Sequence, residues 1–284
     1  MIYFPGKRMK LQENNGFDRQ FRQFGLDRST AVSKCNIAPF CLALGRDWHY
    51  NGFIFHYGGD GMNDELTPSR LLSINIGLPV SVPHGSKEVA TGIFKQPIAG
   101  SASVTRNGLA GDGQADLVNH GGPDKAICVY SYSHRSYWEA EWGKPMDYAA
   151  FGENFSVTGL LEQEVCIGDV FQAGSARLQV TQARLPCFKL ALKHGLPMLP
   201  EQVQQSGYTG FYLRVLDEGE VQAGDLLRLE SRHPEAHRMT VFDASRIMLF
   251  GKQDLAASQR LLAIPDLAAS WRETLLERID KLHA

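Results

Sequence analysis

The fold class this sequence predicts is mainly β: a barrel of short strands interrupted by a few helices and followed by a small three-helix segment. Three observations carry that reading. From Leu71 onward, short apolar segments alternate with turn residues. Two of them share the pattern V-x-x-G-D-aliphatic, in which Gly-Asp turns the chain into a new strand. After about Arg238 the apolar spacing changes to the three- and four-residue intervals of a helix face. With 284 residues, 43% hydrophobic and 21% charged, the chain can bury the core of one large or two modest domains.

Residues 1–65 stand apart. Isolated aromatics mix there with Gly, Asn and Arg, and neither a 3.6 nor a 2 period persists. Little fixed structure is expected, and two readings compete: a disordered extension, or an over-long start with the protein proper beginning at Met62. The composition shift favours the second, and Glu13, Asp18, Asp27 and Asp47 argue against an acid-poor organelle signal.

The barrel is expected over residues 66–237. Leu72-Ser73-Ile74-Asn75-Ile76-Gly77 and Ala126-Ile127-Cys128-Val129-Tyr130 read as strands. Val165 to Phe171 and Val221 to Leu227 carry the two Gly-Asp turns. Between them, Arg177 to Thr181 and Phe211 to Leu216 alternate as half-buried strands do. Many short strands with glycine turns indicate closure into a barrel or sandwich. Two helices interrupt it, one from Tyr132 to Trp142 and one starting close to Cys187 and stopping at Gly195, a residue suited to a helix C-terminus.

Residues 238–284 read as three helices. Thr240 can cap the first, which runs through Leu249 to end at Gly251, and Asp254 the second, which Pro265 keeps from extending. The third, Leu267 to Leu282, spaces Trp271, Leu275, Ile279 and Leu282 along one apolar face. Packing against the barrel is the plain role for this segment; docking an electron donor is the other.

Charge and cysteine content narrow the function. A formal net charge of −2 leaves no basic stripe for a phosphate backbone, so stable nucleic-acid binding is not expected and small-molecule chemistry is. Five cysteines with no CxxC pair suit neither a secreted disulfide framework nor a zinc ribbon, and point to a reducing compartment. No apolar run approaches the roughly 20 residues that cross a bilayer, so the expected location is cytoplasmic with no membrane partner.

Three local patterns can carry chemistry. In Ala183-Arg184-Leu185-Pro186-Cys187-Phe188-Lys189-Leu190, Arg184, Lys189 and a helix N-terminus would all stabilise a Cys187 thiolate, the form that binds metal or attacks an electrophile; the plain alternative is a small buried hydrophobe. Cys128 and Cys166 sit in strand patterns and read as core. The run Gly108 to Gly113, followed by Asn119-His120-Gly121-Gly122-Pro123-Asp124-Lys125, can aim backbone N–H groups at a phosphate, with His120 and Lys125 adding charge, or can simply turn the chain. In Phe151-Gly152-Glu153-Asn154-Phe155, a glycine precedes two side chains rich in hydrogen-bonding capacity.

Taken together and in order, G-x-x-G-D, N-H-G-G-P-D-K-A, F-G-E-N, G-D-V-F and R-L-P-C-F-K-L resemble the MOSC family of molybdenum-cofactor proteins, in the stand-alone bacterial form that ends in a three-helix segment. The likeness covers roughly residues 70–284 and extends to Ala268-Ala269-Ser270-Trp271. It implies a β-barrel that binds a molybdenum-pterin cofactor with Cys187 as the protein ligand to the metal, and, by family association, pyridoxal phosphate binding. It also implies reduction of N-hydroxylated compounds such as amidoximes, hydroxylamines and N-hydroxylated bases. On that reading Cys187, His120 and Glu153 are the catalytic candidates. Gly121, Gly122, Lys125, Asn154, Arg184 and Lys189 are the candidates for holding the cofactor. No fused iron–sulfur segment with clustered cysteines is present, so electrons would come from a separate flavin or iron–sulfur reductase. Sulfur transfer through a persulfide on Cys187, and non-catalytic carriage of the cofactor, are the alternatives.

Overall fold

The computed structural model describes residues 66, 69–116 and 121–283, together with the backbone of four short strands nearer the N-terminus. The chain divides into two compact units, Met1–Asp64 and Glu65–Ala284. In the first, β1 (Ile2–Phe4) pairs antiparallel with β2 (Lys7–Met9), and β3 (Asp47–Tyr50) with β4 (Phe53–His56). The remainder of the expected extension, Met62 included, lies outside the described residues.

The second unit is built on a closed barrel. Its seven strands are β5 (Ser69–Ile76), β11 (Ile127–Ser131), β12 (Phe155–Val157), β13 (Val170–Ala173), β14 (Ala176–Ala183), β15 (Phe211–Asp217) and β17 (Leu226–Ser231). Around the barrel they run β5, β12, β11, β15, β14, β13, β17 and back to β5, and all neighbours are antiparallel except the parallel pair β11 and β12. The intervening strands lie outside this ring. β6 (Val80–His84) and β7 (Lys87–Thr91) form a hairpin of their own, β8 (Gln96–Pro97) extends the end of β5, and β9 (Ser101–Thr105) lies between β10 (Gly108–Leu109) and β16 (Gly219–Gln222).

Alternation along the strands fills the barrel. Leu71, Ile74, Ile127, Phe155, Phe171, Leu178 and Phe211 are fully or almost fully buried in one core, each worth about 1.5–3 kcal/mol against exposure. Both Gly-Asp turns precede strands as the sequence indicates, β13 after Gly168-Asp169 and β17 after Gly224-Asp225. β14 departs from the expected alternation, because seven of its eight residues are buried. The C-terminal helices cover its second face, so its polar residues Thr181 and Gln182 are buried as well.

The helices follow the sequence closely. A 3-10 turn at Tyr132–His134 leads into α1 (Arg135–Trp142), and α2 (Phe188–His194) ends on Gly195 with φ 66°. A further helix, α3 (Leu199–Ser206), follows it; its proline sits in the first turn, where no backbone N–H is required. These helices share a second core with Ile93, Tyr130 and Phe151, in which Tyr130 stacks on Phe151 at 4.0 Å.

The tail comprises α4 (Val241–Leu249), α5 (Leu255–Leu262) and α6 (Ala269–His283). Thr240 Oγ1 accepts from the Asp243 N–H at 3.0 Å and Asp254 Oδ1 from the Ala257 N–H at 2.9 Å, caps worth about 1 kcal/mol each. Phe250, one residue before Gly251, takes the C-cap of α4. Val241, Met248, Leu261, Trp271 and Leu275 belong to the barrel's own core cluster, so the segment packs against the barrel.

Candidate functional site

The site begins where β14 ends. The Arg184 N–H donates to the Gly210 carbonyl at 3.0 Å, Pro186 cannot continue the ladder, and Cys187 takes the N-cap position of α2 in extended conformation (φ −127°, ψ 169°). Its carbonyl accepts from Leu190 at 3.0 Å, while its side chain makes no capping bond. The half-exposed thiol lines an open cleft together with Arg184, Lys189, Cys128 and Tyr212.

Strand alternation supplies the floor of the cleft. Ile127, Val129, Phe211 and Leu213 face the barrel core, so their neighbours Cys128 and Tyr212, directly opposed across β11 and β15, face the other way and line the cleft. Burial pushes the Cys128 thiol up to about 11, against the opposing pull of Arg184, and raises Tyr212 further. Arg184 lies beside them, 7% exposed, and its Nη1 has no hydrogen-bond partner among the described residues. Burial works against its charge, but Cys128, Tyr212, Cys187 and Glu153 together outweigh that and hold its pKa above the ordinary value.

Lys125 and Lys189 complete the basic lining, and burial lowers Lys125 against the fields of Asp124 and Asp116. Thr91, Gly92, Ile93 and Lys95 form another wall, and at the rim the His84 ring lies 5.2 Å from the exposed ring of Phe188. Lys193 is tied beneath Ile93: its Nζ donates to the Ile93 carbonyl at 3.0 Å and to that of Ala149 at 2.5 Å, and burial lowers its pKa to about 8.

Cys187, Arg184, Lys189 and Lys125 are thus brought together from the sequence-predicted set. Glu153 and Asn154 are buried behind the cleft and do not line it. The Glu153 carboxylate accepts from the Phe151 N–H at 2.9 Å and from the Ser156 hydroxyl at 2.7 Å. Gly152 makes that turn possible, with φ 73° and space for a Cβ closed by Ile93 Cγ1 at 2.6 Å. Asn154 receives the Cys128 N–H at 3.0 Å and donates to the Asn75 carbonyl at 3.2 Å.

Gly121 and Gly122 do not line the cleft either; Gly122, with φ 93°, starts the 3-10 turn Pro123–Lys125 that carries Lys125 to it. His120 lies outside the described residues. The phosphate reading of Gly108 to Gly113 does not hold for the amides of Asp112 and Gly113, which bond to the Leu109 and Gly77 carbonyls at 3.1 and 3.0 Å.

Sequence reasoning missed Cys128, Tyr212, Lys95, Gln114 and Trp271 as lining residues. For Cys128 and Tyr212 a signal existed: each alternates with core residues, and an apolar or aromatic side chain on the outer face of a barrel needs a cover. Among the described residues, no three His, Cys, Asp or Glu side chains group as a metal site, and no helix is long and apolar enough to cross a membrane. A metal held by one protein thiolate and otherwise by its own cofactor requires no such group. The soft thiolate donor, the buried unpartnered Arg184 Nη1 and two lysines fit an anionic, thiolate-ligated cofactor.

The chain thus presents a closed barrel with a half-exposed thiol at a helix start, beside a buried guanidinium in an open cleft. The MOSC domain model matches residues 116–228, and the YiiM-like, 3-alpha helix domain model matches residues 239–282. An uncharacterized protein of Bacillus subtilis (strain 168), YflK, is 46% identical over 212 residues, 75% of this chain and 95% of that protein. The crystal structure of YiiM from Geobacillus stearothermophilus superposes with TM-score 0.64 at 39% identity, covering 75% of this chain and all of that one. A Gibberella moniliformis protein named a reductase is 33% identical over 170 residues, 58% of this chain and 30% of that longer protein. The chain belongs to the MOSC family, in the form that carries a YiiM-like 3-alpha helix domain.

Proposed function

We propose that this chain is a molybdenum-dependent oxidoreductase that reduces N-hydroxylated compounds, such as amidoximes, hydroxylamines and N-hydroxylated bases, to the parent amine or amidine. The observation that carries the reading is the Cys187 thiol, uncommitted to its own helix and set in a cleft with the buried, unpartnered Nη1 of Arg184. MOSC domains are associated in general with the molybdenum cofactor, and the fungal relative's name supports redox chemistry.

Cys187 would ligate the metal as a thiolate, while Arg184, Lys125 and Lys189 would hold the cofactor's anionic and oxygen-bearing groups. When bound, the cofactor supplies the two-electron redox chemistry, fed by a separate flavin or iron–sulfur reductase. The protein's own residues bind, orient and move protons. Lys189 lines the cleft and would be a candidate to supply a proton to a leaving hydroxyl. Glu153, buried and hydrogen-bonded away from the lining, adds negative charge near Arg184 and Lys193.

The test compares molybdenum and pterin content of wild type and Cys187→Ser purified from a cofactor-competent host. Near-stoichiometric metal in the wild type, marked loss in the variant, and benzamidoxime reduction with an added reductase are the expected results. A cyanide-releasable sulfur on Cys187 in metal-free protein would replace this reading with persulfide transfer. Stoichiometric cofactor without turnover would replace it with carriage.

A further inference from the structure

The C-terminal helices reach the cleft. Trp271, in the first turn of α6 and 4% exposed, lines the part of the cleft that also contains Gln182, Leu185, Pro186, Cys187 and Lys125. The turn is pinned there by three hydrogen bonds, one to the turn before β11 and two to β14. The Ala269 N–H donates to Asp124 Oδ2 at 2.8 Å, the Ala268 N–H to the Thr181 carbonyl at 3.1 Å, and the Ser270 hydroxyl to Gln182 Oε1 at 3.4 Å. Asp124 is itself fixed, pairing through Oδ1 with Arg214 Nη2 at 2.9 Å and accepting from Thr181 Oγ1 at its carbonyl at 2.6 Å. A carboxylate at a helix start is also favoured by the helix dipole. One residue, Asp124, therefore joins the turn that carries Lys125 to the helix that carries Trp271.

We infer that Trp271 is a specificity-determining residue: its indole sets the width of the approach to Cys187, and Asp124 is the positioning residue that holds it in register. The tail is then part of the site as well as packing, and it selects which molecules reach the thiol by their breadth. The inference rests on the proposed function only in taking this cleft as the way in to Cys187.

The test needs no metal, so its failure and the failure of the molybdenum reading are separable. The full chain and its Trp271→Ala variant are labelled with iodoacetamide and, separately, with a pyrene maleimide, and Cys187 modification is followed by peptide mass spectrometry. Trp271→Phe, which keeps most of the packing, serves where the alanine variant does not fold. Cys166 is the control, because it is 1% exposed and forms a β-bridge with Thr240 at the start of the tail, so that a detached tail would expose it. The expected result is a rise of about tenfold in the maleimide-to-iodoacetamide rate ratio at Cys187, the scale on which a pocket wall discriminates size, with Cys166 still unlabelled. An unchanged ratio overturns the inference, and so does a rise that comes with labelling of Cys166, which would mean general loosening.

Discussion

Asn154 Nδ2 donates to Asp112 Oδ2 over 2.8 Å, and the same carboxylate pairs with the Lys95 ammonium, Nζ to Oδ2 being 2.6 Å. The Lys95 and Asp112 side chains are 7% and 5% exposed, so this is a buried ion pair joined to a buried amide. Asp112 Oδ1 also receives the Gly77 N–H at 2.9 Å, which ties the end of β5 to the cleft wall.

Asp112→Asn should therefore be costly, because it leaves a lysine buried without its counter-charge. A loss of about 3–5 kcal/mol is expected, read as a lower urea midpoint at unchanged slope. Adding Lys95→Met should recover much of that loss. A single variant as stable as wild type would show that the pair supports nothing.

Lys193 gives a pH signature. Burial lowers its pKa from 10.5 to about 8 in the folded protein. Between those values the unfolded chain binds more protons than the folded one, so stability rises with pH across that window. Below it both states are protonated and the burial penalty is complete. As pH rises across that window the wild type should gain stability relative to the Lys193→Met variant, by at most about 1.4 kcal/mol per pH unit, when urea unfolding is compared at its two ends. Parallel pH profiles for the two proteins would contradict the assignment.

The tail should not be removable. A chain lacking residues 240–284 loses Leu261, Trp271 and Leu275 from the barrel's core and uncovers the outer face of β14. Loss of near-ultraviolet circular dichroism and of cooperative unfolding is the expected outcome. A folded, cofactor-loaded barrel that had lost only its donor-dependent rate would favour docking instead.

What was legible in the sequence depended on how local its cause was. Thr240, Asp254 and Gly195 marked helix ends through bonds and dihedrals spanning only a few residues, and the structure keeps them. Cys187 was legible because proline, cysteine and a helix start are adjacent in the chain. Cys128, Tyr212, Lys95 and Trp271 reach the cleft from β11, β15, the segment after β7 and α6, and only closure of the barrel and docking of the tail unite them. Glu153 and Asn154 were conspicuous by chemistry, yet that chemistry is spent on neighbours: Phe151, Ser156, Asn75, Asp112 and the Cys128 amide. The near-continuous burial of β14 was hidden for the same reason as Trp271, since the helices that cover it are distant in sequence.

The closure of β17 onto β5 also sets a schedule for the nascent chain. Arg70 Nη1 donates to the Gly224 carbonyl at 2.7 Å across 154 positions of sequence. At about 5–20 residues per second, translation leaves that edge of β5 without its partner for about 8 to 30 seconds after it has been made. An unpaired apolar strand is a template for the wrong neighbour. Substitutions in β17 should consequently lower soluble yield more than they lower the stability of the finished molecule.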